Sequence, residues 1–321
     1  MILKKSIQQS KMDTLSGAII GCALGDALGA PHEFKYCKDN KYTGDLYLKP
    51  KFLQRFKGYV YGDIGQVTDD TEMTITMLRS IKEEGKYKKD KVLMAYLGWA
   101  NSDGFVFMGK NTRALFKGIK TKRGYENRYK KMLEENSNNQ SNGALMRCSP
   151  LCLHDIKNVI EDCCLTNPHP ICVWTNIIYL HFMKNSDKND PWKTFDFDNT
   201  YKLDKDDKEI LIKLIVSCKD DWKRDVTENK GWCLHALYCA IYSFYHFKTY
   251  KEAIDFVIRK GGDTDTNAAI TGALLGNKFG YKVIYEENKK NIDILLACTT
   301  QEGNMKRPKE YTLHDVFKLV K

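Results

Sequence analysis

Among 321 residues there are only seven prolines, and stretches that alternate apolar with polar residues are scarce, so little of the chain reads as strand. No CxxC pair occurs, and the vicinal Cys163-Cys164 has no partner pair at zinc-site spacing. The eleven cysteines are scattered, and most (Cys22, Cys152, Cys172, Cys233, Cys239) sit among apolar neighbours, where free cysteine behaves as a small buried hydrophobe. A disulfide-rich secreted scaffold is excluded, because that class is short and loop-rich. No histidine pair has metal-ligand spacing, and no GxSxG elbow or other nucleophile motif appears. No uninterrupted apolar stretch approaches the ~20 residues that span a bilayer. The longest small-and-apolar run, Gly17 to Ala30, carries Asp26. No apolar core precedes the polar Gln8-Gln9-Ser10, so no signal peptide is read, and the expectation is a cytoplasmic chain with no membrane partner.

What is present is the composition of a globular protein, 42% hydrophobic and 29% charged. The net charge of +10 is spread through lysine-rich segments that also hold acids or turns, as solvated faces do. No homeodomain, RRM or zinc-finger pattern accompanies it, so a nucleic-acid partner is not expected. The helical period dominates. It predicts helices from Leu15 (capped by Asp13 or Thr14), over Thr71–Glu84, Lys91–Trp99, Pro170–Lys184, Glu209–Cys218, Leu234–Phe247, Glu252–Arg259 and Thr266–Phe279. The expectation is therefore all-α, a single many-helix orthogonal bundle over residues 1–321, monomeric, with its core at about 12–300. Residues 185–230 are expected as a surface excursion. Gly17-Ala-Ile-Ile-Gly-Cys-Ala-Leu-Gly25 echoes Ala268-Ala-Ile-Thr-Gly-Ala-Leu-Leu-Gly276. Glycine inside a helix costs up to ~1 kcal/mol against alanine, so this density predicts two helices crossing backbone to backbone.

Two motifs nearly match known sites and fail. Gly104 to Asn111 lacks the hydroxyl that a phosphate loop needs for Mg²⁺, and bulky Phe105, Val106, Phe107 and Met108 do not suit a loop curled around phosphate. Asp196 to Asp207 has Tyr201 where an EF-hand needs glycine, and ends in Asp in place of Glu.

The sharpest feature is a pair of clusters, Thr68-Asp69-Asp70-Thr71 and Gly261-Gly262-Asp263-Thr264-Asp265-Thr266, each opening a predicted helix. One such cluster reads as a helix cap, since Asp and Thr satisfy the unpaired N–H groups there. Two with the same residue types point further. Carboxylates brought together without a cation repel, and ligands made only of carboxylate and hydroxyl oxygens suit hard ions such as Mg²⁺, Mn²⁺ or Ca²⁺. A binuclear, oxygen-ligated site is the inference from the chemistry.

Four blocks in order, Gly17–Phe34, Gly65–Thr74, Ser141–Leu151 and Gly261–Gly280, make the chain resemble the ADP-ribosylglycohydrolase family. The resemblance implies an all-helical fold around two divalent cations, Mg²⁺ or Mn²⁺. It implies that Thr68, Asp69 and Asp70 hold one ion and that Asp263, Asp265 and Thr266 hold the other, with Asp265 shared. Glu33 matches the family glutamate at the metals and is the candidate proton carrier, so Glu33, Asp69 and Asp265 form the implied catalytic set. Asn142 and Gly143, with the neighbouring Ser141 and His169, are the implied contacts to ADP-ribose. The chain departs from the pattern twice: Asn167 stands at the usual histidine position with His169 displaced, and Ser141 stands where glycine is common. The implied substrate is an ADP-ribosylated protein or an ADP-ribose derivative, cleaved at the glycosidic bond. The alternatives are an inactive ADP-ribose-binding module and a two-metal phosphoesterase.

Overall fold

The computed structural model describes residues 2–33, 48, 52–55, 58–198, 200–298 and 306–321. In chain order these form α1 (Ile2–Gly29), a hairpin of β1 (Phe52–Arg55) and β2 (Gly58–Tyr61), α2 (Asp69–Glu84), α3 (Lys89–Ala100), α4 (Lys110–Phe116), α5 (Lys122–Glu135), α6 (Ile156–Cys163) and α7 (Pro170–Lys184). They continue as α8 (Lys205–Ser217), α9 (Cys233–His246), α10 (Tyr250–Lys260), α11 (Thr264–Phe279), α12 (Tyr281–Ala297) and α13 (Val316–Leu319). The fold is all-α, as the helical period predicts. The two short strands pair antiparallel, Phe52 opposite Tyr61 and Arg55 opposite Gly58.

The centre of the molecule is the predicted crossing of glycine-striped helices. A Cβ on Gly17 would lie 2.1 Å from the Gly276 carbonyl oxygen, one on Gly21 2.2 Å from that of Gly272, and one on Gly25 2.1 Å from that of Ala268. Ascending numbers on α1 meet descending numbers on α11, so the helices run antiparallel in backbone contact, and any larger side chain would force them apart. Tyr250 on α10 donates to the Gly21 carbonyl at 2.6 Å and closes one side of the seam. The other helices wrap this pair, with Trp99, Trp174, Phe182 and Phe244 fully buried around it.

Several sequence expectations are corrected. α1 does not begin at Leu15. It extends back to Ile2, and Asp13 accepts from the Lys282 amide of α12 at 3.3 Å instead of capping its own helix. The segment Lys11–His32 is, by length and composition, apolar enough to cross a membrane, but 89% of that window is buried inside the protein, because α1 is its central core helix. Within 185–230, α8 packs Leu211, Leu214 and Ile215 into the core, and Phe195 and Phe197 cluster on Trp174. Asp204, in the EF-hand near miss, caps α8 by accepting from the Asp207 amide at 2.8 Å.

Candidate metal and substrate site

The antiparallel seam decides where the chemistry collects. It brings the C-terminal end of α1, with Glu33 just beyond it, beside the first turn of α11, where Thr264 donates to the Gly29 carbonyl at 2.9 Å. α2 starts against the same corner. Its first turn is held by Asp26, a fully buried carboxylate on α1 that accepts from the Thr68 amide (2.8 Å), Thr68 Oγ1 (2.8 Å) and Thr71 Oγ1 (2.7 Å).

Capping does not account for the two acidic clusters. Thr121, Asp204 and Thr249 accept from the first turns of α5, α8 and α10 with their side chains, whereas Thr68 and Asp263 make no side-chain cap on α2 and α11. Their oxygens turn to one another instead. Asp26, Asp70 and Asp265 each place a carboxylate oxygen within 4.8 Å of the others, and so do Glu33, Asp263 and Asp265, with Asp265 common to both groups. Thr266 Oγ1 lies 3.5 Å from Asp70 Oδ2 and joins α11 to α2. Asp69 is turned to the 101–109 loop, where it accepts from the Gly109 amide at 3.2 Å.

Crowding acids in a buried place disfavours their charge. Burial and the nearby Asp265 and Asp263 hold the half-buried Glu33 well above the usual carboxylate range. Burial, then Asp265 and Asp26, do the same to Asp70. Burial and Asp263 raise Asp265, and burial pushes Asp69 up to about 6. Asp70 Oδ1 is buried and has no hydrogen-bond partner. An orphaned carboxylate oxygen among acids that, among the described residues, share no cationic side chain, with hydroxyls of Thr68 and Thr266 at the rim, is the donor set of a hard divalent cation, and these residues fit one.

The implied substrate-binding residues form the adjoining wall. Asn142 donates from Nδ2 to Asp263 Oδ2 at 2.8 Å, and its backbone N–H donates to the Gly231 carbonyl at 2.8 Å, so the 139–143 loop is tied to the acidic cluster. The two departures from the family pattern touch: Asn167 Nδ2 donates to the Ser141 carbonyl (3.1 Å) and to Ser141 Oγ (2.9 Å). His169 sits differently. Its Nδ1 accepts from the Ile171 amide at 3.1 Å and caps α7, while Nε2 lies 3.3 Å from Gln140 Nε2.

Sequence reasoning missed two groups. Asp26 was legible as the one charge in the Gly17–Ala30 run, and its role is to order the first turn of α2 from another helix. Arg147, fully buried, donates to Asp162 Oδ2 (2.9 Å), the Gly143 carbonyl (2.7 Å) and Thr166 Oγ1 (2.9 Å), and nothing local in the sequence marks those partners. At the far side of α2, Arg307 and Trp99 both donate to the buried Glu72 carboxylate, at 2.9 and 2.7 Å, and so anchor the helix that carries Asp69 and Asp70.

Comparison with known proteins agrees with this geometry. The family model described as ADP-ribosylglycohydrolase matches residues 7–304. A protein of Acanthamoeba polyphaga mimivirus, provisionally named ADP-ribosyl glycohydrolase, is 28% identical over 91% of this chain and 93% of its own length. The ADP-ribosyl-[dinitrogen reductase] glycohydrolase of Rhodospirillum rubrum is 24% identical over 89% of this chain and 96% of its own. An ADP-ribosylarginine hydrolase of Serratia proteamaculans is 23% identical over 86% of this chain and 74% of its own. A solved structure titled ADP-ribosylglycohydrolase-related protein complex superposes with a TM-score of 0.61 at 18% identity, over 89% of this chain and 98% of that one, and shares the fold.

Proposed function

The chain belongs to the ADP-ribosylglycohydrolase family, and on that premise we propose that it is a hydrolase dependent on two divalent cations, Mg²⁺ or Mn²⁺, that cleaves the glycosidic bond joining ADP-ribose to a protein side chain or a small adduct. The observation that carries this reading is the convergence of Glu33, Asp26, Asp70, Asp263 and Asp265 in two groups sharing Asp265, with Asp70 Oδ1 buried and unpartnered.

Thr68, Asp69 and Asp70 where α2 begins, with Asp263, Asp265 and Thr266 where α11 begins, would hold the cations. Bound cations supply orientation of the ribose hydroxyls, a more acidic bound water and charge stabilisation. The chain supplies the rest. Cleavage at the anomeric carbon passes through an oxocarbenium-like state, in which water must lose a proton and the leaving group must gain one. Glu33 lies half-buried beside Asp263 and Asp265, which makes it the carboxyl group placed to take up and return that proton. Asn142, pinned to Asp263, sets the ribose end of the substrate loop against the acidic floor.

The test is incubation with defined Arg-, Ser- and ester-linked ADP-ribose substrates, with Mg²⁺ or Mn²⁺ and with chelator, followed by mass spectrometry. Release of intact ADP-ribose that chelator abolishes is the expected result. Binding without release, or cleavage within the diphosphate, would overturn the reading. Glu33→Gln should lower turnover more than ADP-ribose affinity; equal losses would give Glu33 a binding role instead.

A further inference from the structure

The chain's surplus charge is concentrated in one segment. Residues 86–131 hold thirteen lysines and arginines against three acids, Asp90, Asp103 and Glu126, a surplus of ten. The net charge of the whole chain is +10, so everything outside that segment is electrically balanced. Contacts tie the parts of the segment together. Lys122, at the start of α5, pairs with Asp90 in the first turn of α3 at 2.7 Å. Arg128 of α5 donates to the carbonyls of Ala114 (3.1 Å) and Lys117 (2.6 Å) at the end of α4. One end of the segment touches the acidic floor: the Gly109 amide donates to Asp69, Asn111 Nδ2 lies 3.2 Å from Ser141 Oγ, and exposed Lys110 stands between them. The other end, 86–91, lines with 153–161 a cleft of about 800 Å³.

Much of this charge has no internal use. Lys86, Lys89, Lys110, Arg113, Lys120 and Arg123 are exposed, and no carboxylate among the described residues pairs with them. Elsewhere the surface mixes its signs, as in the i, i+4 pairs Lys157–Glu161, Lys213–Glu209 and Arg259–Asp255. Like charges gathered without such partners repel one another and raise a positive potential that attracts anions. We propose that this face, from Lys110 beside the floor to Lys86 at the cleft, docks a stretch of acidic polypeptide flanking the ADP-ribosylated side chain, an inference that rests on the hydrolase reading above. The acceptors are then proteins modified beside runs of Asp and Glu. Polypeptide suits the face better than nucleic acid. No aromatic ring of residues 86–131 is exposed to stack on a base, and Tyr87, Tyr96, Phe116 and Tyr125 are all buried.

The test uses an unmodified Glu-rich peptide, and peptides that carry one ADP-ribosyl group between flanking Glu or flanking Lys residues. In fluorescence anisotropy the Glu-rich peptide should bind the wild-type protein, and Lys110→Glu/Arg113→Glu should weaken it roughly fivefold or more. Its affinity should fall as salt rises from ~50 mM to ~500 mM. In turnover the Glu-flanked substrate should show the lower KM, and the variant should raise that KM with kcat held. Hydrolysis of ADP-ribose linked to a single amino acid should not change, an outcome that a damaged site would not give. Lys120→Glu/Arg123→Glu serves as a second variant, beyond the end of α4. Equal KM for Glu- and Lys-flanked substrates, unchanged peptide affinity in both variants, or tighter binding of a single-stranded oligonucleotide of equal length would overturn the proposal. A wild-type protein that hydrolyses no linkage would instead overturn the functional reading beneath it, and peptide anisotropy would still decide the face.

Discussion

On one side of the cleft the carboxylates of α1, α2 and α11 press together, no cationic side chain among the described residues pairs with Asp70 or Asp265, and Asp70 Oδ1 is left without a partner. On the other side, around the 139–143 loop, donors meet acceptors in a directed series from Arg147 through Thr166 and Asn167 to Ser141, and Asn139 Nδ2 is the buried side-chain atom of that loop left unmatched. The floor is built to be completed by positive charge from outside, whereas the wall already holds its own buried cation, Arg147, paired with Asp162. Removing one charged group should therefore have opposite signs in the two places.

The largest effect expected breaks the frame that both share. Gly25→Val would drive a side chain into the Ala268 backbone, whose carbonyl lies 2.1 Å from the first added carbon. Two backbones cannot yield as a flexible side chain can, so the loss should be about 3 kcal/mol or more, read by denaturant unfolding. Next comes the wall. Arg147→Met leaves Asp162, 1% exposed, without its partner, and breaking a buried ion pair in this way costs about 3–5 kcal/mol. The floor should answer the other way. Asp70→Asn should abolish turnover yet raise the melting temperature of the chelated protein, since it relieves the crowding of a buried carboxyl group against Asp26 and Asp265. If both substitutions destabilise the chelated protein alike, the contrast between floor and wall fails.

That contrast also divides what the sequence could reveal. The fold was legible because the glycines at 17, 21 and 25 and at 272 and 276 repeat at helical spacing on two segments, and such spacing has one good use. The acidic floor was legible because Asp69, Asp70, Asp263 and Asp265 are packed into two short motifs. Asp26 was on the page but looked like an interruption, because its partners Thr68 and Thr71 lie 42 and 45 residues away. The wall was the least legible. Asn111, the pair Ser141 and Arg147, and Asn167 come from three separate segments, and hydrogen-bond direction is a property of their arrangement in space. The predicted start of α1 at Leu15 failed for a related reason: Asp13 does cap, but on α12, and local sequence cannot tell whose helix a carboxylate serves.

A smaller effect sharpens the difference. Cations that bind only the folded floor stabilise it by mass action, about 2.7 kcal/mol at a concentration a hundred times the dissociation constant. The melting temperature should climb with Mg²⁺ or Mn²⁺ and fall back with chelator. Asp70→Asn should blunt this response, whereas Ser141→Ala, in the wall, should keep it whole. A melting temperature indifferent to divalent cations would remove the floor's reason for being acidic.

The smallest effect belongs to His235, which flanks the wall on α9. Arg224 donates to its Nδ1 at 2.8 Å, so that nitrogen must be bare, and Nε2 carries the proton toward the Glu228 carbonyl at 3.0 Å. Burial, then the Arg224 charge, pushes its pKa down to about 4 from the ordinary 6.5. Between those values the unfolded chain binds a proton that the folded one refuses. Stability from this group is therefore full above about pH 6.5 and declines as the pH falls toward about 4. Urea midpoints taken at pH 7 and pH 5 should drop less for His235→Gln than for the wild type, while the Mn²⁺-dependent rise at pH 7 stays the same in both. Equal drops would mean that Arg224 does not hold the imidazole neutral.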